Sequence, residues 1–283
     1  MKRLNSIYFY AFTILILFGF VPIQETNLFF KETGNGETII FVHGSQEDYR
    51  AFIPQFELLG KEFHVITYSR RYNYPNEHSY KKETPFNPMT EAEDLEKLRQ
   101  QMGIEEFNIV GHSYGGLVAL AYANKYQNRL KSITVSEPPV LSIKGCDESL
   151  SYTEKGLIEK LKASFKTKDT TVVMKAIFEF FVGKDIQNQI PPEALQALKS
   201  NLPEMEALAN SENPFPNLNT TFDFPTMIIT SENVMPILMC TNESLIRITP
   251  NAKHVRIPSA SHDMWMTHPT VMSSHLKDFI LNE

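Results

Sequence analysis

The segment GHSYG at residues 111–115 constrains the fold of this chain more than any other feature of the sequence. A short β-rich run, FNIV, directly precedes it, and an apolar helical pattern, GGLVALAYANKY, starts within it. Glycines two positions before and after a serine are typical of a sharp strand-to-helix turn, because larger side chains there would collide with both elements. Such a turn presents the Ser113 hydroxyl beside the unpaired N–H groups of a helix N-terminus, which stabilise a developing negative charge. The pattern therefore predicts a nucleophilic serine at position 113.

Short β-rich runs alternate with helical patterns from about Asn27 onward. This order predicts an α/β fold with a mostly parallel central sheet flanked by helices. The near-continuous apolar character of the runs is typical of strands buried on both faces. Between the second and third runs, a capping-box pattern at Thr90 and Glu93 predicts the start of a helix, and Gly103 predicts its end. The predicted strands are residues 38–42, 63–68, 107–110, 132–135, 226–230 and 254–257.

The strand pattern stops between about residues 141 and 223, where helical patterns replace it. The expected helices are residues 153–165, 171–182 and 192–210, and prolines separate them. We interpret this region as a helical lid inserted into a single domain of residues 25–283.

The N-terminus has the pattern of a targeting segment. Lys2 and Arg3 precede an almost unbroken apolar run at residues 7–21. We interpret residues 1–24 as a signal peptide or an N-terminal membrane anchor. The protein is therefore expected to be exported, secreted or periplasmic, or else associated with a membrane through this segment. Cys146 and Cys240 can form at most one disulfide, and the sequence leaves open whether they pair.

The composition excludes several classes of protein. With 283 residues, 42% of them apolar, the chain can bury a sizeable core without metals or disulfides. The formal net charge is -6 and there is no long Lys/Arg block, so a nucleic-acid partner is not expected. Neither a Gly-rich phosphate loop nor zinc-ligand spacing occurs. We therefore expect no cofactor and no metal, and a small-molecule substrate as the partner.

The order of these motifs resembles the α/β-hydrolase family, and the resemblance runs from about Asn27 to the C-terminus. It is carried by a His43-Gly44 pair after an early strand, the GHSYG turn, and a late histidine. In that family, the residue after the His-Gly pair and the residue after the nucleophile donate backbone N–H groups to the oxyanion. The resemblance implies that Ser45 and Tyr114 form this oxyanion hole.

A serine nucleophile needs a base, and His262 is the best placed of the eight histidines. It follows the last predicted strand in the sequence IPSASH and precedes the terminal helix. This arrangement resembles the late catalytic histidine of the family. The alternatives are His254, which lies within a strand, and His268 and His275, which lie on the approach to the final helix or in it.

The acid that orients the histidine departs from the common family layout. There it lies three or four residues beyond the strand that corresponds to residues 226–230, where this chain has Val234. Some members carry the acid one strand earlier, and Glu137 directly follows the predicted strand at that point. Glu137 is therefore our first candidate and Glu232 the alternative acid. Asp263, or no acid at all, remains as a further alternative.

Together these residues predict a serine hydrolase that cleaves a small or medium, mostly apolar carboxylic ester through an acyl-enzyme. Amide, thioester or C–C bond hydrolysis by the same triad is an alternative, as is a ligand-binding or regulatory member with little turnover. Relatives that act on epoxides or haloalkanes attack with Asp, so a serine at position 113 disfavours those reactions. The helical stripe at residues 172–181 favours core packing over a pocket. Thioethers and an aromatic ring near the expected acid and base loops are candidates for a pocket wall: Met235, Met239, Met264, Trp265 and Met266.

Overall fold

A seven-stranded sheet forms the centre of the molecule in the computed structural model, which describes residues 28–76, 80–81 and 84–282. The strand order is β1-β3-β2-β4-β5-β6-β7. β1 pairs with β3 in antiparallel fashion, and the other neighbours are parallel. The strands are β1 (Phe30–Thr33), β2 (Glu37–Val42), β3 (Phe63–Tyr68), β4 (Phe107–His112), β5 (Leu130–Ser136), β6 (Thr226–Ser231) and β7 (Lys253–Ile257).

All six strands predicted from the sequence are present, most of them longer by one to three residues. The strand missed by the prediction is β1, a short edge strand of sequence FKET that is partly exposed. Edge strands are commonly short and charged, so they lack the apolar run by which buried strands are recognised.

Helices cover both faces of the sheet, as predicted. In β2, Ile40 and Val42 face the core under α2 (Pro88–Gln101) and α3 (Tyr114–Tyr126). Ile39 and Phe41 face the opposite core, where α1 (Ile53–Leu59) and α11 (Pro269–Asn282) pack. Successive strand residues point to opposite faces, so a strand with both faces covered is apolar throughout.

The start of α2 differs from the prediction. Its N-cap is Asn87, whose side chain accepts from the Met89 and Thr90 backbone N–H groups, while the Thr90 side chain accepts from the Asn87 N–H. The capping box is therefore Asn87 with Thr90, and the predicted box of Thr90 with Glu93 is wrong. Thr90 lies at the third helical position, and Glu93 instead pairs with Lys125 of α3 at 2.6 Å.

Helices fill the chain between β5 and β6. The predicted helix at 153–165 is a composite that begins earlier, and the predicted helix at 192–210 is two helices that meet at Asn201. The segments are α4 (Asp147–Thr153), a π-helical turn (Glu154–Ile158), α5 (Glu159–Phe165), α6 (Thr170–Val182), α7 (Pro192–Ser200) and α8 (Leu202–Asn210). In the following text they are called the helical insertion.

A disulfide connects the helical insertion to the helix after β6. Cys146 lies directly before α4, and Cys240 lies within α9 (Pro236–Ile248). Their Cα atoms are 5.7 Å apart, and 94 positions of sequence separate them. The bond therefore joins two elements that are distant along the chain.

The predicted targeting segment, residues 1–24, lies outside the described residues. Within the described ranges, no helix combines the length and the apolar character needed to cross a bilayer.

Candidate active site

Ser113 lies on a sharp turn between β4 and α3. Its φ of 51° is in the left-handed region, and its backbone N–H donates to the Ser136 carbonyl at 2.9 Å. A Cβ atom on Gly115 would lie 2.2 Å from the Val42 carbonyl oxygen, and one on Gly111 would lie 2.4 Å from the Gly115 carbonyl oxygen. Both glycines are therefore required by the close approach of backbone, as the sequence pattern predicted.

The structure brings His262 and Glu137 into direct contact. His262 lies on the loop between β7 and α10 (Met264–Thr267), and Glu137 directly follows β5. The Nδ1 atom of His262 donates to Glu137 Oε2 at 2.6 Å. An ionised carboxylate only accepts hydrogen bonds, so the imidazole proton is on Nδ1 and Nε2 is left as an acceptor. That tautomer is the one a serine nucleophile needs.

Glu137 is fully buried and its two oxygens are both used. The backbone N–H and the hydroxyl of Ser231 donate to Glu137 Oε1 at 2.8 and 2.6 Å. Burial by itself raises the pKa of Glu137, but the hydrogen bonds from His262 and Ser231 outweigh it and hold the pKa below its usual value. The carboxylate beside the imidazole is therefore charged at neutral pH.

The alternative acids lie elsewhere. Glu232 is exposed, and its Oε2 accepts from the Ser259 backbone N–H at 2.7 Å. The backbone carbonyl of Asp263 accepts from the first turn of α10. Within the described residues, neither side chain is hydrogen-bonded to His262.

Ser45, Ser113, Tyr114 and His262 line one cavity that is partly open to solvent. Within the described part of the chain, neither the Ser45 nor the Tyr114 backbone N–H donates a hydrogen bond. Tyr114 is the first residue of α3, where helical N–H groups have no partner within the helix. Two residues with free backbone donors thus line the same cavity as Ser113.

The remaining cavity wall is apolar apart from one threonine. The helical insertion supplies Thr153, Leu157, Phe180, Phe181, Met205 and Leu208 to it, and the rest of the chain supplies Pro139, Leu141, Phe215, Met235, Ile237 and Leu238.

The pocket residues suggested by the sequence are only partly in place. The stripe on α6 is buried core at Val173 and Ile177, as predicted, but its end at Phe180 and Phe181 forms cavity wall. Met235 lines the cavity as well. In contrast, Met264 and Trp265 lie in the core, and Met239 and Met266 are exposed on the surface, so these four do not line it.

The sequence interpretation missed a buried ionic network behind the cavity. Both nitrogens at the end of Arg70 are used: NH1 donates to the two Glu91 oxygens at 2.8 and 2.7 Å, and NH2 donates to Glu204 at 3.1 Å. All three side chains are almost fully buried. Charged residues at the end of a strand and in a helix are usually solvated, so no local pattern signalled this network.

His112, inside the GHSYG turn, packs against the catalytic candidate His262 with ring centroids 4.6 Å apart. Its Nδ1 lies 3.2 Å from the Ser136 hydroxyl, which also accepts from the Trp265 indole N–H at 2.7 Å. Burial, followed by the neighbouring His262, lowers the pKa of His112 well below its usual value. His112 is therefore a neutral ring that supports the position of His262.

Comparison with known proteins identifies a family match over most of the chain. The family model described as alpha/beta hydrolase fold matches residues 37–269. The proline iminopeptidase of Saccharolobus solfataricus is 31% identical over 167 residues, which are 56% of this chain and 50% of that protein. That of Lactobacillus delbrueckii subsp. lactis is 32% identical over 90 residues, 31% of this chain and 30% of that protein. The matched stretches thus span half or less of these curated relatives.

Solved structures share the architecture. A thermophilic esterase from Thermogutta terrifontis has a TM-score of 0.67 and 22% identity, over 89% of this chain and 92% of that one. An epoxide hydrolase from metagenomes of hot environments has a TM-score of 0.71 and 21% identity, over 90% of this chain and 95% of that one. At such identities the likeness concerns the fold alone.

Proposed function

The chain belongs to the α/β-hydrolase family, and on that premise we propose that it is a serine hydrolase acting on small or medium, mostly apolar carboxylic esters. The observation that carries this proposal is the 2.6 Å hydrogen bond from His262 to the buried Glu137, at a cavity that Ser113 also lines. Ser113, Glu137 and His262 all follow the carboxyl ends of parallel strands, which supports their assignment as nucleophile, acid and base.

The proposed reaction follows from the position of each group. The Ser113 hydroxyl attacks the ester carbonyl carbon while its proton passes to Nε2 of His262. Glu137 stabilises the imidazolium, and the Ser45 and Tyr114 N–H groups stabilise the oxyanion. The intermediate expels the alcohol, which takes the proton from His262. Water then attacks the acyl carbon while His262 takes its proton. The bond between that carbon and Ser113 Oγ breaks, His262 returns the proton to Oγ, and the acid product leaves.

The apolar cavity wall supports the proposal that the acyl and alcohol groups of the ester are apolar. Placing a charged group against the leucine, phenylalanine and methionine side chains of the wall would cost desolvation energy without a compensating partner.

The curated relatives raise a second candidate, cleavage of an N-terminal proline, since two of them are named proline iminopeptidase. The N-terminal proline of such a substrate carries a secondary ammonium group, and burying that cation requires a carboxylate partner. Among the described residues, the cavity lining includes no Asp or Glu. The ester proposal is therefore the stronger of the two.

We further propose that the helical insertion acts as a lid and that the protein is exported. The insertion supplies about half of the apolar cavity wall, which supports the first proposal. The Cys146–Cys240 disulfide supports the second, because disulfides persist mainly in oxidising compartments.

The proposal is tested by labelling the full chain with a fluorophosphonate probe, which reacts with activated serines. We expect labelling of the native chain and none of Ser113→Ala. Rates on p-nitrophenyl butyrate and on proline p-nitroanilide, measured side by side, separate the two substrate classes, and we expect the ester to be the better substrate. Labelling that survives Ser113→Ala, or folded protein that does not label, would refute the proposal.

A further inference from the structure

We infer that Arg70 and Glu204 are positioning residues that fix the orientation of the Gly44–Ser45 peptide and thereby aim the Ser45 N–H at the oxyanion. This inference rests on the proposed serine-hydrolase function. It gives a role to buried charges that the triad itself does not use.

The first step concerns the Gly44 carbonyl. It accepts from Arg70 NH2 at 3.1 Å and from the ring nitrogen Nδ1 of His43 at 2.9 Å. In a planar trans peptide, the N–H of the next residue points opposite to the carbonyl. Two donors that hold the Gly44 oxygen therefore also hold the direction of the Ser45 N–H.

This peptide lies next to the nucleophile. A Cβ atom built on Gly44 would be 3.0 Å from the Cβ of Ser113. Ser45 and Ser113 line the same cavity, and the Ser45 N–H has no other hydrogen-bond partner within the described residues. A rotation of this peptide would therefore turn a donor away from the position where the oxyanion forms.

The second step concerns what holds Arg70. Its side chain is fully buried, and Glu91 at the start of α2 accepts two hydrogen bonds from it. Its backbone N–H donates to His43 Nε2 at 3.0 Å, so the single proton of the neutral ring is on Nδ1 and is directed at Gly44. The N–H of Gly44 in turn donates to Glu47 at 2.7 Å. Arg70 thus holds the Gly44 carbonyl directly and through His43.

The third step concerns Glu204, which comes from α8 of the helical insertion. Its carboxylate accepts from the Ser45 hydroxyl at 3.0 Å, from the Gln46 N–H at 3.3 Å and from Arg70 at 3.1 Å. Gln46 has a φ of 60°, a left-handed conformation that costs free energy in a non-glycine residue. Glu204 therefore stabilises the strained backbone on the far side of the Ser45 donor.

A buried ion pair contributes little net stability, because desolvation offsets its attraction. Arg70 instead fixes the relative positions of its partners. Its planar guanidinium binds Glu91 through NH1 and both Glu204 and Gly44 through NH2, which the single amine of a lysine cannot reproduce. The helical insertion would then contribute to transition-state stabilisation as well as to the cavity wall.

The test uses full-chain variants Arg70→Met, Glu204→Gln and Ser45→Ala, with Glu96→Gln as the matched control. Glu96 forms a buried pair with Arg99 within α2, remote from the Gly44 turn. Each variant is titrated for active serines, and kcat and KM for p-nitrophenyl butyrate are measured. The Ki of a trifluoromethyl ketone is measured as well. In that complex Ser113 Oγ adds to the ketone carbon, its proton passes to His262, and a stable oxyanion results.

We expect kcat, calculated per titrated serine, and the affinity for the ketone to fall together by about tenfold to 10²-fold. KM should change by less than about threefold. Glu96→Gln should change neither. A purely structural role would lower the titrated fraction and leave both values per active serine unchanged, and that result would overturn the inference. If Arg70→Met does not fold, Glu204→Gln and Ser45→Ala decide by the same criterion.

A crystal structure of the native chain and of a folded variant separates this inference from the proposed function. A Gly44–Ser45 peptide that rotates in Arg70→Met or Glu204→Gln supports it, and an unchanged peptide in both contradicts it. Should the native chain neither label with fluorophosphonate nor cleave esters, the proposed function fails, while the peptide orientation still decides whether these residues fix it.

Discussion

Glu137 and Glu232 follow strands that end at the same edge of the sheet, but their side chains serve different partners. Glu137 accepts from His262 with one oxygen and from Ser231 with the other, whereas Glu232 accepts from the backbone of Ser259. A carboxylate bonded to an imidazole stabilises the protonated ring, while one out of contact adds only a screened attraction. The two carboxylates therefore give a matched pair for testing the acid.

We predict that Glu137→Gln lowers kcat for ester hydrolysis by about 10⁴-fold, because a neutral amide neither fixes the Nδ1–H tautomer nor stabilises the imidazolium. Glu232→Gln should lower it by less than about tenfold. Both values come from ester-hydrolysis rates with protein whose folding is checked by circular dichroism. A severe loss in Glu232→Gln beside a mild loss in Glu137→Gln would reverse the roles.

A second prediction at the scale of single residues concerns Glu91 and the dependence of stability on pH. Burial raises the pKa of Glu91 to about 7, even though Arg70 opposes the rise. Between the ordinary carboxyl pKa and pH 7, Glu91 in the folded state holds a proton that the unfolded state has released, so the contribution of Glu91 to stability decreases as the pH rises through this window.

We predict that the free energy of unfolding of the native chain, relative to that of Glu91→Gln, decreases by about 1–3 kcal/mol between pH 5 and pH 7. Urea denaturation at several pH values measures the difference between the two proteins. Parallel pH profiles for the native chain and the variant would show that Glu91 does not titrate in this window.

At the scale of elements, the sequence predicted a strand, turn or loop correctly wherever a local pattern is compatible with only one conformation. The glycines around Ser113, the buried strands and the loop carrying His262 were predictable because each depends on neighbours in the chain. The edge strand β1 and the Asn87 cap of α2 were not, since a short polar strand and two overlapping capping patterns are ambiguous locally. The contact between Arg70 and Glu204, 134 positions apart, has no local signature at all.

The strand-to-helix turn yields a prediction about its glycines. A methyl group on Gly115 would lie 2.2 and 2.4 Å from the carbonyl oxygens of Val42 and His43, which belong to the backbone and cannot swing aside. Gly115→Ala should therefore destabilise the fold by about 3 kcal/mol or more. Gly103→Ala is the matched control, because no atom lies within 4 Å of its added Cβ and only its φ of 69° opposes the change.

For Gly103→Ala we expect a cost of about 1–2 kcal/mol. Both free energies come from urea denaturation. Equal losses in the two variants would contradict the conclusion that the close approach of the Val42 and His43 carbonyl oxygens requires a glycine at position 115.

At the scale of the whole molecule, a charged cluster and a disulfide are two of the connections that hold the helical insertion to the sheet domain. On one side, Glu204 of α8 contacts Ser45 and Arg70. On the other side, the disulfide joins Cys146, before α4, to Cys240 of α9. The insertion and α9 both supply cavity wall, so the disulfide connects two parts of the same pocket.

Breaking the disulfide should loosen this connection and leave the triad in place. Ser113, Glu137 and His262 lie on segments directly attached to the ends of strands, and Cys146 is separated from Glu137 by most of the connection between β5 and α4. Cross-linking residues so far apart in sequence restricts the unfolded chain, and the restriction is lost on reduction. We predict that the double variant Cys146→Ser, Cys240→Ser is less stable by about 2–4 kcal/mol, while fluorophosphonate still labels its folded fraction.

Urea denaturation with and without a reductant supplies the control, since the reductant should destabilise the native chain by a similar amount and leave the double variant unchanged. A native chain that is insensitive to reductant under conditions where free thiols are detected would show that the bond does not stabilise the fold.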